Sequence, residues 1–233
     1  MQLFICPQIE EKGSDIIIKD NIELVNQLRK VLRAKPWYTF FVQPIDWIKR
    51  LKLELLTYTD KEVKAKVLWI ENSPISNKPV WMLIALPNKQ EKLELIIQKL
   101  TEVWVFNIYL WSSERSQLKS LNENKIKRIE KIVKEAVEQS RWWTIPKIEV
   151  IWDIKTLHNK RDFVVFDLQK DNRNKEIKKW NHPLLWVIGP EWWLTENDYK
   201  NFPAEYKVMS LWESVLRMET AAIIWWRYIK NYL

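Results

Sequence analysis

From residue 80 to the end of the chain, short apolar segments alternate with amphipathic ones, and this pattern constrains the fold more than any other feature. The short segments have the length of buried strands: VWMLIAL (80–86), VFNIYLW (105–111), KIEVIW (147–152), DFVVFDL (162–168), PLLWVIG (183–189) and KVMSL (207–211). Helical patterns separate or follow them: KLELIIQKLTEV (92–103), NKIKRIEKIVKEAVEQS (124–140), a short polar helix near 195–201 and the C-terminal WESVLRMETAAIIWWRYIKNYL. Such alternation predicts βαβ units on a mainly parallel sheet.

The first 70 or so residues have a different pattern, in which short apolar runs are interrupted by one helix. The runs are DIIIK (15–19), YTFFVQPI (38–45), KLELLTY (52–58) and EVKAKVLWI (62–70). The predicted helix over 22–34 places four apolar residues near helical spacing, with Asn21 as its N-cap: Ile22, Val25, Leu28 and Leu32. The polar connector ENSPISNKP (71–79) marks the best boundary. We therefore expect a β-barrel-like module over residues 1–72 and an α/β domain over residues 73–233.

The chain is basic, with 38 lysines and arginines against 30 acidic residues and a net charge of +8. A basic surface favours a polyanionic partner, because contacts with phosphates release condensed counterions. Ordinary surface charge in a lysine-rich chain explains the same composition. Charge alone leaves RNA binding as one of two interpretations.

Cysteine and histidine are scarce: Cys6, His158 and His182 are the only such residues. Neither a disulfide within the chain nor a cysteine- or histidine-based metal site is expected. The longest apolar run (80–86) is far shorter than the roughly 20 residues that a membrane span needs. We expect a soluble cytoplasmic protein without a metal.

Glycine and tryptophan occur in reversed proportions. The chain has 2 glycines and 16 tryptophans. Average glycine usage of about 7% corresponds to roughly 16 residues in such a chain. The tryptophans also form three tandem pairs, at 142–143, 192–193 and 225–226, which a hydrophobic core alone does not explain.

Five segments, taken in order, resemble one family. They are QKLTEVW (98–104), WSSERS (111–116), EAVEQSR (135–141) followed by IP (145–146), IGPEWW (188–193) and LWESVLRMETA (211–221). The corresponding patterns in the RsmE-type family of bacterial 16S rRNA uracil-N3 methyltransferases are QKxxELG, SERS, AxEQSxR, IGPEGG and LGxxVLRxETA. The resemblance covers essentially the whole chain. It implies an N-terminal PUA-like β-barrel that binds RNA and a C-terminal SPOUT α/β domain with a deep trefoil knot.

The chain departs from this family in a systematic way, because tryptophan stands where the family has glycine. The positions concerned are Trp37, Trp104, Trp192, Trp193 and Trp212. A gene in which UGA encodes glycine would produce this exchange if UGA were read as tryptophan. We hypothesise that most of the tryptophans are glycine in the cellular protein, with Trp111 and one of Trp142 and Trp143 as candidates for genuine tryptophan. The alternatives are hydrophobic core and aromatic platforms that stack on bases.

The resemblance implies that S-adenosyl-L-methionine binds in three loops of the C-terminal domain, where backbone groups recognise adenine. The implied cofactor-binding residues are Leu168, Ile188, Gly189, Pro190, Glu191, Trp192, Trp193, Ser210, Leu211, Trp212, Val215, Leu216 and Thr220. Tryptophan at 192, 193 and 212 would be expected to abolish cofactor binding.

The methyl acceptor in this family is the N3 of a uridine in the small-subunit rRNA. N3–H is a poor nucleophile until it is deprotonated, so the site needs a general base or a positive group that stabilises the uracil anion. We assign these roles to Glu219 and Arg217. A carboxylate favoured by the dipole of a helix N-terminus explains Glu219 equally well, and a surface or capping arginine explains Arg217.

RNA phosphates are expected to contact basic residues of both domains, although each of these residues alone could simply be solvated. They are Arg29, Arg33 and Lys35 in the first domain and Lys99, Arg115 and Arg141 in the second. The resemblance also implies a homodimer, to which Val215, Ala222, Ile223 and Ile229 would contribute apolar surface. Two rival functions are a non-catalytic RNA-binding protein with a blocked cofactor pocket and a SPOUT methyltransferase with a different RNA target.

Overall fold

The computed structural model describes residues 2–45, 49–73, 79–168, 182–211 and 213–225. The chain forms two compact units. The first comprises Met1–Ile75 with Val137–Thr144, and the second comprises Ser76–Ala136 with Ile145–Leu233. Unlike the sequence-based division, the structure assigns residues 137–144 to the first unit.

The first unit is built on a six-stranded sheet. Its strands are β1 (Leu3–Cys6), β2 (Glu10–Lys12), β3 (Asp15–Lys19), β4 (Thr39–Pro44), β5 (Lys49–Tyr58) and β6 (Glu62–Asn72). Their order is β1-β4-β5-β6-β3-β2, with β1 parallel to β4 and the other pairs antiparallel. The four strands expected from apolar runs are present. Two strands were not predicted: β1 has only four residues, and β2 consists of three exposed charged residues.

One helix covers the first unit's core. It consists of α1 (Ile22–Asn26) and a π-helical continuation (Gln27–Val31). Asn21 caps it as predicted, because its side-chain oxygen accepts a 3.0 Å hydrogen bond from the Leu24 amide. The predicted apolar face was wrong at Ile22, which is 65% exposed. Leu24 is buried instead, so the packed face is rotated by two residues at the start of the helix.

The second unit contains a six-stranded sheet whose strands are all parallel, as the alternation predicted. Its strands are β7 (Trp81–Ala85), β8 (Asn107–Trp111), β9 (Lys147–Ile151), β10 (Asp162–Phe166), β11 (Leu184–Ile188) and β12 (Tyr206–Met209). Their order is β12-β10-β11-β7-β8-β9, so β11 inserts between β7 and β10.

Four α-helices lie between residues 90 and 224 in the described part of the chain. They are α2 (Gln90–Glu102), α3 (Glu123–Ser140), α4 (Glu196–Lys200) and α5 (Met218–Ile224). The last four residues of α3 belong to the first unit. The helix predicted over 92–103 buries Leu93, Ile96, Ile97 and Leu100, and α5 packs against α2. A capping box formed by Thr195 and Asp198 begins α4.

These elements confirm the α/β class. Because the strands of the second sheet are parallel, the loops that follow β10, β11 and β12 leave the same edge of the sheet, where open α/β sheets bind ligands. Closure of the first sheet into a PUA-like barrel and the trefoil knot stay predictions.

Candidate functional site

A cleft lies at the carboxyl ends of β10, β11 and β12 and is completed by the segment before α5. It contains two adjoining cavities with about 480 and 370 Å³ of empty space. Ten of the predicted cofactor-binding residues line them: Leu168, Ile188, Gly189, Pro190, Glu191, Trp193, Ser210, Leu211, Val215 and Leu216. Trp192 and Thr220 do not line these cavities, and Trp212 lies outside the described residues.

Asp167 lines both cavities and was missed by the sequence analysis. It directly follows β10 and is 6% exposed. Its amide donates a 3.0 Å hydrogen bond to the carbonyl of Met209, and its Oδ2 accepts a 2.6 Å hydrogen bond from the hydroxyl of Tyr199. Burial and the contact with Asp167 raise the pKa of Tyr199. The phenol is therefore a neutral donor that orients this carboxyl group.

The loop after β11 has the backbone that glycine favours. A Cβ atom on Gly189 would lie 3.0 Å from Cγ of Leu194, so a larger residue there would displace this packing. Trp193 has a φ of 65°, which lies in the left-handed region that side chains other than glycine rarely adopt.

Two further tryptophans at family glycine positions have the same backbone property. Trp37 has a φ of 77° and Trp104 has a φ of 74°. Both are also largely exposed, at 75% and 49%, so neither is explained as core. By contrast, Trp111, the last residue of β8, is 3% exposed. This backbone pattern supports the hypothesis that glycine belongs at 37, 104 and 193.

The WSSERS segment (111–116) forms hydrogen bonds with the residues that connect the loop after β11 to α4. The amide of Glu114 donates a 2.9 Å hydrogen bond to Oδ1 of Asp198, at the start of α4. The carboxylate of Glu114 accepts hydrogen bonds from Thr195 and, at 3.3 Å, from Asn197. The hydrogen bond from Thr195, followed by that from Asn197, lowers the pKa of Glu114. This segment therefore anchors the loop after β11 to the rest of the unit.

Arg115 adds a direct contact to the same loop. Its guanidinium donates a hydrogen bond to the backbone carbonyl of Trp192. The side chain of Trp192 is 60% exposed, so the residue contributes its backbone rather than its indole to the local packing. The structure thus gives Arg115 a loop-supporting contact that its predicted role toward RNA does not require.

Lys92 joins two carboxylates at one corner of the cleft. Its ammonium lies 3.1 Å from Oε1 of Glu191 and 3.8 Å from Oε2 of Glu219. The amide of Asn88 donates a second 3.1 Å hydrogen bond to Oε1 of Glu191. Lys92 was missed from sequence, since it lies 99 residues from Glu191 along the chain and even farther from Glu219.

The two residues assigned to catalysis lie at the beginning of α5. Arg217 is the N-cap residue; it is exposed, and its carbonyl accepts a 2.8 Å hydrogen bond from the amide of Ala221. Glu219 is in the first turn, where the helix dipole favours a carboxylate. Neither side chain lines the two cavities, but Met218 between them does.

The predicted RNA contacts divide between the units. In the first unit, Arg29 pairs with Asp60 and lies 5.4 Å from the ring centre of Tyr58, while Arg33 and Lys35 are exposed. Arg141 is also exposed and belongs to this unit, contrary to its assignment to the second domain. The reason is that the segment around it contacts the first sheet: Nε2 of Gln43 donates a 2.8 Å hydrogen bond to the carbonyl of Trp143. In the second unit, the ammonium of Lys99 pairs with Glu102 at 2.9 Å.

No group of three or more histidine, cysteine or acidic side chains in the described part of the chain is arranged to hold a metal ion. No helix there has the length and apolar character needed to cross a membrane.

The family model and the two relatives that match this sequence all describe RNA methyltransferases. A family model described as RNA methyltransferase domain matches residues 74–230. Ribosomal RNA small subunit methyltransferase E from Bacillus subtilis is 31% identical over 191 residues, which cover 74% of this chain and 73% of that protein. The protein of that name from Rickettsia conorii is 32% identical over 144 residues, or 58% of this chain and 57% of that protein.

Solved structures share the fold over almost the full length. Ribosomal RNA small subunit methyltransferase E from Neisseria gonorrhoeae, solved with S-adenosyl methionine, has a TM-score of 0.82 at 22% identity and aligns over 100% of this chain and 98% of its own. A putative methyltransferase from Legionella pneumophila, also solved with this cofactor, has a TM-score of 0.78 at 20% identity, with 99% and 97% of the two chains covered. At this identity the likeness establishes the fold.

Proposed function

Because this chain belongs to the ribosomal RNA small subunit methyltransferase E family, we propose that it transfers a methyl group from S-adenosyl-L-methionine to 16S rRNA of the small ribosomal subunit. The single observation that carries the proposal is the cleft at the carboxyl ends of β10, β11 and β12, which collects the family's three loop segments in one place. Bound S-adenosyl-L-methionine would supply an electrophilic methyl group on a sulfonium.

The residues of the cleft fit such a cofactor in chemistry. Its two cavities adjoin, and Asp167 and Trp193 line both of them. Ile188 and Leu216 offer apolar surface to the adenine ring, and the backbone of Gly189 lines the same cavity. Asp167 and Ser210 are buried polar groups suited to ribose hydroxyls.

The acceptor atom in this proposal is N3 of a uridine. Glu219 would accept the N3 proton, and Arg217 would stabilise negative charge that develops on the uracil. The support is their placement on either side of Met218, which lines the larger cavity. The exposed Arg217 is accessible to a substrate, and no hydrogen bond or ion pair occupies its guanidinium within the described ranges.

RNA binding and dimerisation belong to the same proposal. Arg33, Lys35 and Arg141 are exposed and available to phosphates.

Val215 is 64% exposed next to the cleft, which suits a subunit interface. Ala222 is fully buried within its own chain, so its predicted contribution to that interface was wrong. Ile223 is half-buried, and Ile229 lies outside the described residues.

A non-catalytic RNA-binding protein is the second candidate, because Trp193 lines both cavities. Calorimetry with S-adenosyl-L-methionine separates the two, using the chain as printed and a version with glycine at positions 37, 104, 192, 193 and 212. We expect the glycine version to bind. Its addition to undermethylated small subunits should produce 3-methyluridine, detected by mass spectrometry of rRNA nucleosides. Failure of both versions to bind the cofactor would overturn the proposed function.

A further inference from the structure

Lys92 occupies a position that a helix alone disfavours. It is the third residue of α2, where the positive end of the helix dipole repels a cation. Its side chain is nevertheless drawn inward, with 27% of its surface exposed, toward Glu191 (15%) and Glu219 (16%). Partial burial sets this cluster apart from exposed ion pairs, which contribute little.

The two carboxylates come from different segments next to the cleft. Glu191 belongs to the loop after β11, and its neighbour Pro190 lines the larger cavity. Glu219 belongs to α5, and its neighbour Met218 lines the same cavity. The ammonium of Lys92 therefore connects the cofactor loop to the first turn of α5.

Glu219 retains an unused acceptor. Its Oε2 is buried and forms no hydrogen bond within the described part of the chain. The 3.8 Å separation from the ammonium of Lys92 is an ion pair, too long for a hydrogen bond. A buried acceptor of this kind costs stability, and the nearby ammonium of Lys92 compensates part of that cost.

We infer that Lys92 is a positioning residue, which holds Glu219 for the methyl-transfer step and holds Glu191 so that the cofactor loop keeps its shape. This inference rests on the proposed function. It assigns two effects to one side chain: a cofactor-binding effect through Glu191 and a turnover effect through Glu219.

The test compares K92M, K92R and the control K127M, in whichever version of the chain binds S-adenosyl-L-methionine. Lys127 is an exposed lysine of α3 that pairs with Glu123 one helical turn away. We expect K92M to weaken cofactor binding about tenfold by calorimetry and to lower kcat at saturating cofactor and RNA at least about tenfold. K92R should recover most of the cofactor affinity and most of kcat, because it restores the cation. K127M should have the same affinity and kcat as the parent.

A double variant separates positioning from general loss of structure. If Lys92 acts through Glu219, the effects of K92M and E219Q on kcat are not additive, and K92M costs little once E219Q is present. Circular dichroism and unfolding curves identify a variant that fails to fold, in which case K92Q, alone and combined with E219Q, replaces K92M in the comparison. A kcat and cofactor affinity of K92M equal to those of K127M, in a parent that binds and methylates, would overturn the inference. A parent that does neither overturns the proposed function instead.

Discussion

The hydroxyl of Tyr199 donates a 2.6 Å hydrogen bond to the carboxyl group of Asp167, and both residues are buried, at 6% exposure each. Asp167 follows β10 directly, whereas Tyr199 lies in α4, so the contact fixes a cleft residue against a helix that does not line the cavities. The cleft is therefore supported from behind by hydrogen bonds as well as by apolar packing.

Replacement of Tyr199 by phenylalanine should destabilise the protein and weaken cofactor binding. Y199F removes a buried hydrogen bond to a carboxyl group, which contributes about 1.5 to 3 kcal/mol. Urea unfolding measures the stability, and calorimetry with S-adenosyl-L-methionine measures the affinity. Y38F is the matched control, because Tyr38 lies in the other unit and its ring stacks on Phe40. Equal stability of Y199F and Y38F would contradict the expectation.

Replacement of Arg115 distinguishes its contact with the loop after β11 from its predicted contact with RNA phosphates. R115A removes the donor to the Trp192 carbonyl, so the loop after β11 should loosen and the Kd for S-adenosyl-L-methionine should rise by roughly tenfold, the equivalent of one charge-assisted hydrogen bond. R128A is the control, since Arg128 is an exposed partner of Glu94. An unchanged cofactor Kd together with weaker RNA binding would favour the role assigned from sequence.

The periodicity of the sequence predicted most elements because each segment carries its own pattern. The apolar stripe of α2 and the runs of the parallel strands are local signals, and they appear where they were expected. The order of the strands is not local, since the insertion of β11 between β7 and β10 depends on how distant segments pack.

The same distinction applies to the site. Gly189 and Glu191 could be placed in a cofactor loop because they occur within one short motif. Lys92 and Asp167 could not, because their partners Glu219 and Tyr199 become neighbours only in the folded chain. A lysine in the first turn of a helix was the one signal that could have drawn attention to Lys92.

Acid should weaken the anchoring of the loop through Glu114. Hydrogen bonds from Thr195 and Asn197 lower the pKa of this carboxylate in the folded protein below its unfolded value of about 4.3. Its contribution to stability is therefore fully present above that value and is lost as the pH falls through the folded pKa. The difference in unfolding free energy between the parent and E114Q should stay constant from pH 7 to about 5 and shrink toward pH 3. Urea titrations at four pH values measure it, and a difference independent of pH would contradict the assignment.

Glycine at Trp193 should be tolerated where glycine at Trp111 is not. Trp193 adopts a φ of 65° and Trp37 a φ of 77°, a conformation that costs a non-glycine residue about 1 to 2 kcal/mol. Glycine relieves this strain, but it also loses side-chain contacts and increases the entropy of the unfolded chain. The net effect of W193G and W37G should be a free energy of unfolding that is unchanged or higher by about 1 kcal/mol. W111G removes a side chain that is 3% exposed in β8 and should lower this free energy by at least about 3 to 5 kcal/mol. Urea unfolding compares the three variants, and sequencing of the gene gives an independent result: UGA codons at 37, 104 and 193 with UGG at 111. Equal destabilisation by all three substitutions, or UGG at every position, would mean that tryptophan is the native residue of these turns.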